Sequence, residues 1–310
     1  MKSMITICER KGSMINKILL ISYGTGGAEC LNLIFNKLKS INLIVENISI
    51  SPYTKGKLDN SISLKENEIL DYINKSNATL VINERSSGLD LQNEITKHCI
   101  DNNIFNISIL DVGGGYINRF RHMPNIICVP SDKIKREMTS LGFDSSKLYV
   151  TGNPTFDLLP CYNKPRKFDN VDILFASQPL LKYNVANEFD IFKDYYDSLE
   201  TNFNKFSLKV KLHPQDDIEL WKEFLTNYNN VSIVNELLYD NYDLIIGYDS
   251  TVMLRSSAMN IPTIFYSDKE NQILNYINNL EVNKIEDRFK PNALDNICKV
   301  ISDILTNTDN

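Results

Sequence analysis

Lys17-Ile18-Leu19-Leu20-Ile21-Ser22-Tyr23-Gly24-Thr25-Gly26-Gly27 is the stretch on which the fold turns. A short apolar run ends in a glycine-rich turn. Leu31, Ile34, Phe35 and Leu38 then recur at spacings of three and four. That pattern is a buried strand, a tight turn and an amphipathic helix. The alternation continues outward. Strands are predicted at 42–49, 78–82, 104–110, 126–129 and 148–150, with helices at 64–73, 91–102 and 131–141, the last capped by Ser131 or Asp132. Strands separated by crossover helices form a parallel sheet.

A polar segment with two prolines and no periodicity, Pro160-Cys161-Tyr162-Asn163-Lys164-Pro165-Arg166-Lys167, then breaks the pattern. The alternation restarts with strands at 172–176, 207–212, 231–234, 244–246 and 263–266 and helices at 189–203, 217–225, 252–259 and 293–305. The fold class is therefore α/β, with two Rossmann-like parallel-sheet domains facing across a cleft. The expected boundaries are 1–159 for the first domain, 160–170 for the linker and 171–310 for the second domain.

Bulk properties narrow the function. The chain has 310 residues, 43% hydrophobic and 23% charged, with a formal net charge of -6. An acidic balance argues against broad nucleic-acid binding, which needs a basic surface. No apolar run approaches the roughly 20 residues that span a bilayer. Residues 1–13 carry Lys2, Glu9, Arg10 and Lys11 without a long apolar core, unlike a secretory signal. The expectation is a cytoplasmic protein, with peripheral contact at the inner face of the membrane left open. Six cysteines are scattered with no Cys-x-x-Cys pair, and no feature fixes an oligomeric state. No Asp-x-Asp pair is placed to hold a metal on a diphosphate, so neither metal nor cofactor is expected. Gly24, Gly26 and Gly27 match a dinucleotide fingerprint poorly, because the third glycine would fall at Glu29.

The residues able to do chemistry stand at strand ends, the edge of a parallel sheet where ligands bind. His213 closes the run Leu208-Lys209-Val210-Lys211-Leu212 and precedes Pro214. Its imidazole can donate to a phosphate or leaving group, or bond a backbone carbonyl. Ser250 and Thr251 follow the buried strand 243–246 and Gly247, where hydroxyls and a helix start can cradle phosphate or simply cap the helix. Asp111 precedes three glycines within 113–115, and Glu84 occupies the preceding strand exit. Either could be the base that deprotonates an acceptor hydroxyl, or an ordinary turn carboxylate. Arg119 and Arg121 could hold an anion or serve the fold. Gly26 and Gly27 let the chain turn beneath the expected cleft, so Glu29 could face the acceptor, while Gly152 and Asn153 close the first domain at that cleft.

At these positions the sequence resembles the GT-B superfamily of nucleotide-sugar enzymes. Val150-Thr151-Gly152-Asn153-Pro154-Thr155-Phe156-Asp157 is similar to the segment closing the first domain of UDP-N-acetylglucosamine 2-epimerases. Leu174-Phe175-Ala176-Ser177-Gln178-Pro179 and Leu212-His213-Pro214 resemble the Gln-Pro and His-Pro motifs of capsule Kdo transferases. The His-Pro pair followed by Ser250-Thr251 also resembles bacterial sialyltransferases and CDP-glycerol glycerophosphotransferases. The resemblance implies that the second domain binds the nucleotide, with His213, Ser250 and Thr251 around its phosphate and Gln178 nearby. The first domain would hold the acceptor and supply the base. Two departures stand out: the glycine run after Asp111, and Arg255 where many relatives carry a ribose-gripping glutamate.

The expected function is therefore a metal-independent glycosyltransferase. It would take a CMP- or CDP-activated sugar as donor and a surface glycan or lipid-linked molecule as acceptor. A UDP-sugar 2-epimerase or nucleotide-sugar hydrolase is the first rival, and a noncatalytic nucleotide-sugar-binding protein the second.

Overall fold

The computed structural model describes residues 17–50, 54, 57–85, 90–111, 113–248, 250–266, 269–278 and 290–307. The expectations for 1–16, 86–89 and Asp249 lie outside the described residues. The chain divides into two compact units, one of Met1–Leu158 with Phe289–Asn310 and the other of Leu159–Arg288.

The first unit runs β1 (Lys17–Ser22), α1 (Thr25–Ser40), β2 (Ile44–Ser49), β3 (Ile62–Ser63), α2 (Ile69–Ser76), β4 (Ala78–Glu84), α3 (Asp90–Asp101), β5 (Phe105–Ile109), α4 (Tyr116–Arg119), β6 (Ile126–Val129), α5 (Asp132–Ser140) and β7 (Leu148–Val150). Its seven strands lie in the order β3-β2-β1-β4-β5-β6-β7, every neighbouring pair parallel. Ile18 and Leu20 pack on one face, Leu19 and Ile21 on the other. Burial on both faces is why β1 reads as a continuous apolar run.

The second unit runs β8 (Val171–Ala176), α6 (Glu188–Asn202), β9 (Phe206–Lys211), α7 (Ile218–Leu225), β10 (Val231–Val234), β11 (Leu244–Gly247), α8 (Thr251–Ala258), β12 (Thr263–Phe265) and α9 (Lys269–Ile277). Its five parallel strands are ordered β10-β9-β8-β11-β12. Val171, Ile173 and Phe175 join a core of aromatic residues from α6 and α7, including the buried Trp221. Leu174 and Ala176 pack with Met253 of α8 on the opposite face.

The order of each sheet reverses once, between β1 and β4 in the first unit and between β8 and β11 in the second. These reversals are the switch points where open α/β sheets bind ligands.

Three elements were not predicted: β3, α4 and α9. The first two span only two and four residues, too few to show a period. α9 opens on the polar Lys269-Glu270-Asn271-Gln272, and among its residues described for burial Ile273 and Tyr276 are buried. The expected helix at 64–73 is a 3-10 turn at Glu66–Glu68 leading into α2.

The closing helix α10 (Ala293–Asn307) corrects an expectation. Assigned to the second domain from sequence, it instead buries Ile297, Cys298 and Ile301 with Ile34, Phe35 and Leu38 of α1 in the first unit. Its periodicity shows that one face must be covered, but not which sheet covers it. Among the described residues, no helix is long and apolar enough to cross a membrane.

Candidate functional site

In the first unit the switch point is closed by the protein's own carboxylate. Glu84, at the end of β4 and 1% exposed, accepts hydrogen bonds at Oε1 from the N–H groups of Tyr23 (2.9 Å) and Gly24 (2.7 Å). These amides lead into α1, whose positive end favours a negative partner. Gly27 is required here because a Cβ would stand 2.5 Å from Glu84 Cδ and 2.6 Å from its Cβ. A carboxylate therefore lies where a dinucleotide fold would receive phosphate.

Asp111 stands just past β5, with Arg119 Nη1 4.0 Å from its Oδ1. Asn153 Nδ2 donates to the Asp111 carbonyl at 3.2 Å, and a Cβ on Gly26 would lie 3.7 Å from Asp111 Oδ2. Gly26, Asp111, Arg119 and Asn153 thus form one group. Gly152 serves the fold instead. Its φ of +93° is left-handed, and a Cβ would run into the Lys290 carbonyl and lie 2.7 Å from Ala293 Cβ, where the chain returns to α10. Glu29, on α1, forms an ion pair with Lys57 at 2.9 Å.

Arg85, the residue after Glu84, has a structural role that no sequence motif marks. Its guanidinium is buried, donating to Asn93 Oδ1 (3.1 Å), the Arg119 carbonyl (2.8 Å) and Thr96 Oγ1, and it stacks over Phe120 at 5.1 Å. Burial lowers its pKa to about 10. Arg119 Nη1 donates back to the Arg85 carbonyl at 3.3 Å, so the two arginines clasp each other beside Asp111.

In the second unit, register brings the other predicted residues to one edge. Ala176 pairs with Lys211 of β9 and with Gly247 of β11. Gln178 therefore leaves the sheet between His213 and the Ser250-Thr251 turn. Strands lie about 4.8 Å apart, which puts the two outer loops roughly 10 Å from each other. His213 is exposed, and its local bonding fixes its chemistry. Its N–H donates to Asp216 Oδ2 (2.7 Å), and its Nδ1 accepts from the Gln215 N–H (3.2 Å). An imidazole that accepts at Nδ1 leaves Nε2 to carry the ring proton, so Nε2 is the donor atom of His213.

Ser250 caps α8, its Oγ accepting from the Met253 N–H at 3.3 Å, and the exposed Thr251 opens that helix. Gly247 has no room for a side chain: a Cβ would stand 2.7 Å from the Ala176 carbonyl. Arg255, one turn beyond Thr251, bears on Tyr239, whose pKa burial raises and the arginine charge lowers. Around the site, Lys182 Nζ reaches Gln215 Oε1 at 3.4 Å, linking the loops after β8 and β9.

No protein-family model matches the chain, and no curated protein matches it. Solved structures do. The UDP-bound structure of MnaA from S. aureus superposes with a TM-score of 0.68 at 12% identity, covering 94% of this chain and 97% of that one. The UDP-GlcNAc 2-epimerase of Methanocaldococcus jannaschii, in complex with UDP-GlcNAc and UDP, gives 0.62 at 14% identity, covering 92% and 99%. The lipopolysaccharide outer core galactosyltransferase WaaB gives 0.67 at 11% identity, covering 93% and 99%. These likenesses show the fold, the two-domain GT-B fold.

Proposed function

We propose that the chain is a metal-independent glycosyltransferase that binds its nucleotide-sugar donor in the second unit. The contrast between the two switch points carries this reading. In the first unit Glu84 already occupies the start of α1. In the second, α8 is capped by a neutral hydroxyl, and His213 stands at the exit of β9 on the same sheet edge. Neutral donors at a helix start suit a diphosphate or phosphodiester anion.

The donor is a CMP- or CDP-activated sugar, and the acceptor a surface glycan or lipid-linked molecule. The acceptor oxygen attacks the anomeric carbon while the bond from that carbon to the phosphate oxygen breaks. Asp111 takes the acceptor proton, as the partly exposed carboxylate of the first unit. The His213 Nε2–H and the start of α8 stabilise the departing phosphate. Glu84 has a positioning role, holding the turn on which Gly26 faces Asp111.

Thermal melts against CMP, CDP, UDP and GDP test the donor site, because a bound ligand raises Tm. One of these nucleotides should stabilise the wild type, and His213→Ala should remove most of that shift without unfolding the protein. With the matching donor and an acceptor, His213→Ala should cut turnover by about a hundredfold or more. A wild type that responds to no nucleotide, or unchanged turnover in the variant, would overturn the reading.

The likeness to MnaA and to the M. jannaschii epimerase favours a second reading, a UDP-sugar 2-epimerase. Incubation with a nucleotide sugar and no acceptor separates the two. Inversion at C2, followed by NMR, would establish the epimerase.

A further inference from the structure

Past Asp111 the chain forms a helix too short to hold its own place. α4 spans Tyr116–Arg119, four residues entered through Gly114 and Gly115, whose φ values of +91° and +61° are left-handed. A single turn closes few internal hydrogen bonds against the cost of fixing its backbone. Its last carbonyls also lack partners within the helix. Two buried side chains meet that need. Arg85, just past β4, donates from Nη1 to the Arg119 carbonyl at 2.8 Å. Asn93, on α3, donates from Nδ2 to the Asn118 carbonyl at 3.3 Å. Asn93 Oδ1 accepts from the Arg121 N–H at 3.2 Å and from Arg85 Nη1 at 3.1 Å, which ties the two side chains together. Both are closed to solvent, Arg85 at 0% and Asn93 at 3% exposure. Burying a guanidinium is costly, and an apolar residue of similar volume would fill the same space without that cost. What such a residue could not do is grip the end of α4.

Resting on the reading of Asp111 as the base, we propose that Arg85 and Asn93 are positioning residues that hold α4 so that Arg119 faces Asp111. Arg119 is the last residue of α4. Arg85 grips its carbonyl, and Arg119 Nη1 donates back to the Arg85 carbonyl at 3.3 Å while lying 4.0 Å from Asp111 Oδ1. Backbone and guanidinium of Arg119 are therefore fixed by the same partner. A cation held beside a carboxylate favours its ionised form, the form that accepts a proton.

The test is a double-mutant cycle in the full-length chain. Turnover is read as nucleotide released from CMP-, CDP- and UDP-linked sugars with an octyl glycoside as acceptor. Binding is read as the Kd for CMP, CDP and UDP by calorimetric titration. Asp111→Asn should cut turnover by about a hundredfold or more. Arg85→Met and Asn93→Leu should each cut it by about tenfold or more, the effect of misplacing a reacting group. All three should leave the nucleotide Kd unchanged, because the donor binds in the second unit. In the Asp111→Asn background, Arg85→Met should cost less than about threefold, because it acts through the same carboxylate. Should Arg85→Met fail to fold, Arg119→Met and Arg119→Lys carry the cycle: the first should lose turnover, and the second, which keeps the cation, should retain more of it. Additive effects across the cycle, or wild-type turnover in Asn93→Leu and in Arg119→Met, would overturn the assignment alone. Wild-type turnover in Asp111→Asn, or a wild type that releases no nucleotide, would remove the base reading and this inference together.

Discussion

At the scale of single residues, adjacent glycines of one turn make opposite demands. A Cβ on Gly26 would meet Asp111 at an ordinary contact distance, whereas one on Gly27 would collide with the Glu84 side chain. Gly27→Ala should therefore destabilise by about 1–3 kcal/mol, as overpacked substitutions do. Gly26→Ala, in the first turn of α1, should be neutral or stabilise by up to about 1 kcal/mol. Urea midpoints of the two variants check the contrast, and equal midpoints would contradict the contact between Gly27 and Glu84. The cost is local. Glu84 is held by two backbone amides and cannot step aside without leaving them unpaired.

At the scale of elements, α10 decides the integrity of the first unit. Ile297, Cys298 and Ile301 are buried with α1, and burial raises the Cys298 thiol to about 11. Ile301→Ala should cost about 2–5 kcal/mol through lost burial and the cavity left behind. Hydrogen exchange should place the loss in α1 and α10 and spare β8 and β9. Equal loss of protection in both units would overturn this placement. By contrast, the Lys37–Asp295 pair between these helices is half exposed and should contribute little, so Asp295→Asn should leave the midpoint nearly unchanged. The apolar spacing of α10 was legible in the sequence, but its partner was not. Two sheets with similar apolar faces compete for such a helix, and only the path of the chain past Gly152 settles the choice.

At the scale of the whole molecule, alkaline pH should be the weak side of stability. A hydrogen bond to Asp194, then burial, pushes the Tyr266 phenol up to about 12; burial and then Glu46 do the same for Tyr72. A phenol held above its unfolded value of about 10 keeps its proton better in the folded state. Its contribution is complete below about pH 10 and is lost as pH rises toward 12. Thermal melts between pH 8 and 12 should show a plateau and then a fall, and Tyr266→Phe should flatten that fall. A midpoint that rises over this window would contradict both phenol shifts.

The sequence by itself determined the alternation of strand and helix, the strand-end positions of His213, Asp111, Ser250 and Thr251, and the acidic, cysteine-scattered composition. These follow from periodicity, turn chemistry and residue counts, which are local properties of the chain. Only the tertiary structure decided that Glu84 closes its own switch point, that Glu29 turns to Lys57, and that Arg85 clasps Arg119. Each of these depends on which strands become neighbours and on their register. Parallel pairing joins residues dozens of positions apart, and no local pattern in the chain encodes such contacts.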